Sequence, residues 1–192
     1  MDAARLRPRF PYSPALLPGG PSPSRRPVSS PLDPAFDFSA YRRALGGFAT
    51  GVCVVTAHTE EGPFGITINS FTSVSLKPPL VLWCLDRASE RHNAFAAADR
   101  FAVHMLPAED REMSDRFAWG VCRLSSDEFD SSSAEPPRLK NALTRLDCLV
   151  SQRIVMGDHL TIVGAVQGFE TRPGAALVYY RGRYGVAPEP EG

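Results

Sequence analysis

The chain is short of several things that would have settled its class quickly. It has no excess of either charge: Lys+Arg and Asp+Glu are both 21 in 192 residues. A nucleic-acid footprint, which needs a basic surplus, therefore has no support. With no net charge there is also little self-repulsion to oppose self-association. Only four cysteines are present, Cys53, Cys84, Cys122 and Cys148, and none forms a Cys-x-x-Cys pair. That spacing speaks against a zinc site or a redox dithiol. Three of the four sit in apolar runs, where Cys behaves as a small hydrophobe. No apolar run reaches the roughly 18 residues of a membrane span, and no signal-peptide core is visible. The expected setting is cytoplasmic, with no membrane and no nucleic acid. Neither a G-x-G-x-x-G nor a G-x-x-x-x-G-K-[ST] loop occurs, so the common nucleotide-binding folds are unsupported. No internal repeat is apparent.

What is present is unevenly distributed. Residues 1–35 hold nine of the eighteen prolines, with Ser, Gly and Arg between them. Little there can be buried, so the tract is expected to be a disordered or polyproline-like tail. Arg5, Arg7, Arg9, Arg25 and Arg26 make it mildly basic. Order is expected over 36–186, with 187–192 a flexible end. Tyr41, Ala44, Leu45 and Phe48 recur at helical spacing on one side, with Asp37 or Ser39 as a cap and Gly46-Gly47 weakening the end. Strand signals follow at Val52–Thr56, at 64–70, at Leu80–Leu85 after Pro78-Pro79, and at Phe101–Leu106. Ser89 is placed to cap a short helix through Ala98, and 108–118 reads as a helix with Met113 and Phe117 on one face. Residues 120–137 read as a long polar loop. Leu146–Val155 and Leu160–Phe169 flank Gly157-Asp158, a hairpin turn signal, and Ala176–Tyr180 is a last strand. About seven consecutive strands with two or three short helices favour a mainly β, α+β protein: an antiparallel barrel with peripheral helices.

The most informative stretch runs from Gly65 to Leu76, GITINSFTSVSL. It sets short hydroxyl and amide side chains among Ile66, Ile68, Phe71 and Val74. Alternation along a strand places Thr67, Asn69 and Phe71 on one face and Ile66, Ile68 and Ser70 on the other. Small neutral donors and acceptors beside an apolar run suit a ligand with a polar heteroaromatic edge. An ordinary hydroxyl-rich edge strand has the same composition.

Several motifs in order carry a resemblance. They are Ala44-Leu45-Gly46-Gly47-Phe48-Ala49-Thr50-Gly51-Val52 with Val54-Val55-Thr56, then Gly65 to Leu76 with Pro78-Pro79-Leu80-Val81-Leu82. Asp86-Arg87-Ala88-Ser89, Phe101-Ala102-Val103, Ser114-Asp115-Arg116-Phe117-Ala118, Leu146-Asp147-Cys148, Gly157-Asp158-His159 and Tyr179-Tyr180-Arg181-Gly182 follow. Over about 36–186 the chain resembles the flavin reductase-like family, the FMN-binding split β-barrels of antiparallel Greek-key type. The reductase components of two-component flavin monooxygenases belong to it.

The resemblance implies an NAD(P)H:flavin oxidoreductase using FMN or FAD with NADH or NADPH. It also implies a homodimer that supplies reduced flavin to a separate monooxygenase. Gly65, Ile66, Thr67, Asn69 and Ser70 would lie along the flavin ring and ribityl chain, and Cys84, Leu85 and Asp86 would line it. Ser89 and Arg91 would take the phosphate end, and Arg116 and Phe117 belong to a second loop that reaches the flavin. His159 is assigned to the nicotinamide pocket, positioning rather than transferring a proton, with Tyr180 and Arg181 as weaker candidates there. No metal and no proton-donating catalytic residue is implied. A departure from the family pattern is Asp110-Arg111, where Gln is frequent. His58, His92 and His104 have no role assigned. A flavin carrier or sensor without turnover, or a split-barrel oxidase with its own small substrate, remains open beside the reductase reading.

Overall fold

The computed structural model describes residues 34–120, 122–127, 129–130 and 136–190. The expectation of a disordered tail falls almost wholly outside these residues. In chain order the elements begin with α1 (Phe38–Leu45), β1 (Thr50–Gly51), β2 (Cys53–Thr59), β3 (Gly62–Ile68), β4 (Thr72–Leu76) and β5 (Pro79–Asp86). Then come α2 (His92–Ala97), β6 (Arg100–Met105), α3 (Arg111–Trp119), β7 (Phe129–Asp130) and β8 (Arg138–Leu139). The order closes with β9 (Thr144–Met156), β10 (His159–Thr171), β11 (Ala176–Tyr180) and β12 (Arg183–Ala187).

Seven strands form one sheet in the order β3-β2-β6-β9-β10-β5-β4, and β1-β11-β12 form a second. Every pairing is antiparallel. This is the mainly β architecture with peripheral helices that the pattern suggested. The expected hairpin is there: β9 and β10 run 13 residues each and turn at Gly157, whose φ of 63° needs no Cβ. The split falls at Val52. Its N–H donates to Leu177 O, its C=O accepts from Leu106 N, and Leu177 N donates to Leu106 O. One extended run thus leaves the small sheet as β1 and enters the large one as β2.

The stretch 65–76, expected as one strand, is two. It breaks at Asn69–Phe71, and β3 and β4 end on opposite edges of the seven-stranded sheet. Ser70 holds the break: its hydroxyl accepts from Cys84 N (3.0 Å) and donates to Cys84 O (3.3 Å), a side chain standing in for a strand partner. The 120–137 stretch is not wholly loop either. β7 pairs with β8, Arg123 bridges Phe64, and buried Thr56 donates its hydroxyl to Pro137 O.

One core fills the large sheet. Trp83 sits at its centre, edge-on to Phe95 and Phe101 at 5.9 Å from each. Gly164 lets β10 cross Phe101: a Cβ there would stand 2.4 Å from the ring. A second core of Val52, Leu106, Phe117, Leu124, Leu139 and Leu177 joins α3 to the small sheet. α1 forms as its spacing suggests but buries none of its residues within the chain; Phe38, Tyr41 and Leu45, and Phe48 beyond it, are exposed. α2 begins three residues later than expected and has no side-chain cap. Ser89 Oγ instead accepts from Arg91 N within the preceding turn.

Candidate functional site

β3 is an edge strand, and its outer edge is only partly covered. Residues of an antiparallel strand point N–H and C=O together, alternately toward one side and the other. Gly65 N donates outward to Cys122 O (2.7 Å), and Pro63 O accepts from Leu124 N (2.9 Å). Odd positions of β3 therefore face away from β2. Thr67 continues that set beyond the reach of 122–124, and its backbone opens onto a cavity of about 530 Å³. That is the size range of a small-molecule site.

Three elements wall the cavity. β3 gives Thr67, Ile68 and Asn69; α3 gives Arg111, Ser114, Asp115, Ala118 and Trp119; the β11–β12 hairpin gives Tyr179, Gly182, Arg183 and Tyr184. α3 is held against β3 by Thr67 Oγ1 donating to Ser114 O (2.7 Å). Gly65 makes the close approach possible, since a Cβ there would stand 2.7 Å from the Phe117 ring. Gly65→Ala is accordingly expected to cost about 1–3 kcal/mol by overpacking, read as a lower denaturation midpoint.

The polar lining is mutually satisfied. Ser114 Oγ lies 2.9 Å from Tyr184 Oη, which donates to Asp115 Oδ1 at 2.9 Å. Asp115 pairs with Arg111 at 3.5 Å, and the Arg111 guanidinium lies 5.1 Å from the Tyr184 ring centroid. Burial, with Asp115 adding to it, raises the Tyr184 pKa above the ordinary phenol value, so its proton stays in place near neutrality. Tyr179 meets Tyr184 edge-on at 5.4 Å, and Trp119 stands exposed at the rim. The result is a slot with an aromatic wall, neutral donors and a bare strand edge. A planar heteroaromatic ring with a polar rim fits it.

The residues named from sequence divide into groups. Thr67 and Asn69 line the cavity, and Gly65 and Phe117 lie beneath it; the Phe117 ring is fully buried in the second core. Ile66 and Leu85 point into the first core, so only their backbones can face a ligand. Arg116 ties α3 to the next segment by donating to Arg123 O (2.8 Å). Arg91 donates to the carbonyls of Phe117, Ala118 and Gly120, closing the C-terminal end of α3 as a cationic cap does. Asp86 orders its own turn, accepting from Ala88 N at 2.8 Å.

Ser70, Cys84, Asp86 and His159 gather elsewhere, on the outer face of β5 and β10. The register sets His159 opposite Asp86 and Thr161 opposite Cys84. His159 Nδ1 is 2.7 Å from Asp158 Oδ1, a contact that holds the Asp158 carboxyl below the usual range. Tyr180 is exposed at the β11–β12 turn under the Arg181 guanidinium. The sequence reading missed Arg111, Trp119, Arg183 and Tyr184 as cavity residues; the aromatic spacing of 179–184 was the available signal.

A small antiparallel barrel split into two sheets, with a ring-sized cleft on an open strand edge, defines a flavin-binding split barrel. The chain belongs to the family described as the flavin reductase like domain, whose model matches residues 45–188. It is 42% identical over 146 residues to the FMN reductase (NADH) SmoA of Agrobacterium fabrum, covering 76% of this chain and 84% of that one. To the reductase component of the flavin-dependent trigonelline monooxygenase of Acinetobacter baylyi it is 37% identical over 161 residues. That match takes in 81% of this chain but only 51% of the relative, so the chain spans about half of that protein's length. Among solved structures, the NADH:FAD oxidoreductase SgcE6 of Streptomyces globisporus, in complex with NAD and FAD fragments, superposes with a TM-score of 0.69. It is 34% identical, with 77% of this chain and 91% of that one covered.

Proposed function

We infer that this chain is an NAD(P)H:flavin oxidoreductase that passes reduced FMN or FAD to a separate monooxygenase. The observation that carries this reading is the uncovered edge of β3 at Thr67, opening beside Asn69 onto an aromatic-walled cavity. Relatives named as reductase components support it. A bound flavin supplies the acceptor for hydride leaving a dihydronicotinamide. The chain's own work is positioning and electrostatics. Thr67 N–H and the Asn69 amide would donate to the polar rim of the ring, favouring the negative charge that reduction places there. Tyr179, Tyr184 and Trp119 would hold its flat faces. His159 would orient the nicotinamide from the β5–β10 face.

A homodimer belongs to this reading. The uncovered apolar side chains of α1, and Val155 and Met156 beside His159, offer material for an interface. A second copy would complete the cleft between cavity and β5–β10 face. Cytoplasmic operation also belongs to it: all four thiols are unpaired, which suits a reducing compartment. Among the described residues no helix is long and apolar enough to cross a membrane.

The test is direct. The purified protein with NADH or NADPH and FMN or FAD under nitrogen should bleach flavin absorbance near about 450 nm. His159→Ala should raise the nicotinamide KM roughly tenfold, equal to about 1.4 kcal/mol, and leave flavin KM unchanged. Flavin bound without turnover in any cofactor pair would mark a carrier instead.

A further inference from the structure

A second cavity, of about 700 Å³, lies between α1 and the β11–β12 turn. Ser39, Arg42, Arg43, Tyr179, Arg181 and Gly182 line it, and no acidic side chain does. In a chain whose charges balance overall, this is a local excess of three guanidinium groups. Tyr179 and Gly182 also line the ring-sized cavity, so the two are continuous. Arg183 and Arg111 extend the run of arginines along the first.

The turn that presents Arg181 is built against local preference. Arg181 and Gly182 have φ of 48° and 77°, the left-handed pair of a two-residue hairpin turn. Asn or Gly is favoured at the first of these positions, and a long branched cation is not. The conformation is held from outside, because Arg181 N donates to Gly46 O at the end of α1 (2.9 Å). That bond fixes the turn and α1 at one spacing, with Arg42 and Arg43 across from Arg181. The C-terminal turn of α1 favours its two arginines by dipole, but none of the other lining groups neutralises them. Guanidinium forks are suited to phosphate oxygens.

We propose that this arginine-lined cavity is an anion subsite for the phosphates of an adenylate group, reached from the ring site past Tyr179. The inference rests on the flavin reductase reading. Two substrates carry that chemistry: FAD, whose adenylate half FMN lacks, and the nicotinamide dinucleotide, NADPH most strongly through its extra phosphate.

Two variants test it: Arg42→Gln with Arg43→Gln, and separately Arg181→Asn, which removes the cation while suiting the left-handed turn. The activity-independent readout is calorimetric binding of ADP to the full chain. Both variants should bind ADP at least tenfold more weakly than the parent, with unchanged thermal midpoints. In steady state, a rise in KM for FAD with FMN and riboflavin unchanged assigns the subsite to the flavin. A rise for NADPH above that for NADH assigns it to the nicotinamide cofactor. Unchanged ADP affinity in a folded Arg181→Asn variant, or equal losses for riboflavin, FMN and FAD, overturns the proposal. Absence of flavin reduction by the parent protein would instead strike the reductase reading, while the ADP measurement still decides the subsite.

Discussion

Lowering the pH from roughly 6.5 to 4.5 is expected to weaken the folded state by about 1.4 kcal/mol per pH unit through His104 alone. His104 is fully buried on β6 and holds two elements together. Its Nδ1 lies 3.2 Å from Val54 O on β2, and its Nε2 accepts from Leu139 N on β8 at 3.1 Å. That pairing requires the neutral ring with hydrogen on Nδ1. Burial, with a contribution from Arg145, pushes the His104 pKa down from 6.5 to about 3. The unfolded chain takes up a proton at its ordinary pKa, and the folded chain does not until much lower pH. Stability from this group is therefore fully present above about pH 6.5 and is lost progressively as pH falls toward 3. His104→Gln keeps one donor and one acceptor but cannot titrate, so its urea-unfolding free energy should fall less steeply over the same range. Parallel slopes for the two proteins would mean that His104 is protonated in the native state and that the assigned hydrogen bonds are wrong.

The second large effect concerns the ring site. Ala118→Trp should reduce flavin affinity by at least about tenfold, or 1.4 kcal/mol. Ala118 is half-buried on α3 and lines the cavity facing β3. An indole at this position occupies the slot between helix and strand edge. Because the added volume enters open space rather than the second core, the thermal midpoint should move little. Affinity is read from quenching of flavin fluorescence. A folded Ala118→Trp protein that binds FMN and FAD like the parent would remove this cavity as the ring site.

Much of the fold could be read from residue order. The long period-2 runs around Gly157-Asp158 gave the central hairpin because strand length, turn chemistry and register all act locally. The α3 helix was legible from Met113 and Phe117, whose spacing reflects its buried face. The break inside 65–76 was not, since the hydroxyl of Ser70 acts on Cys84, a partner fourteen residues away on another strand. Nor could alternation show that α1 would bury nothing in its own chain, because periodicity reports a face and not what covers it. Half of the cavity was hidden for the same reason. Thr67 meets Ser114 across 47 residues, and Ser114 meets Tyr184 across 70. Arg91 reads as a phosphate ligand or a surface cation; its bonds to the end of α3 depend on packing that no local pattern encodes.

Amide chemical shifts during an FMN titration of isotopically labelled protein measure the exposed strand edge itself. The Thr67 and Asn69 N–H resonances should show the largest displacements, with Trp119 Nε1 following. Saturating flavin that leaves those two amides in place while shifting others would contradict the site.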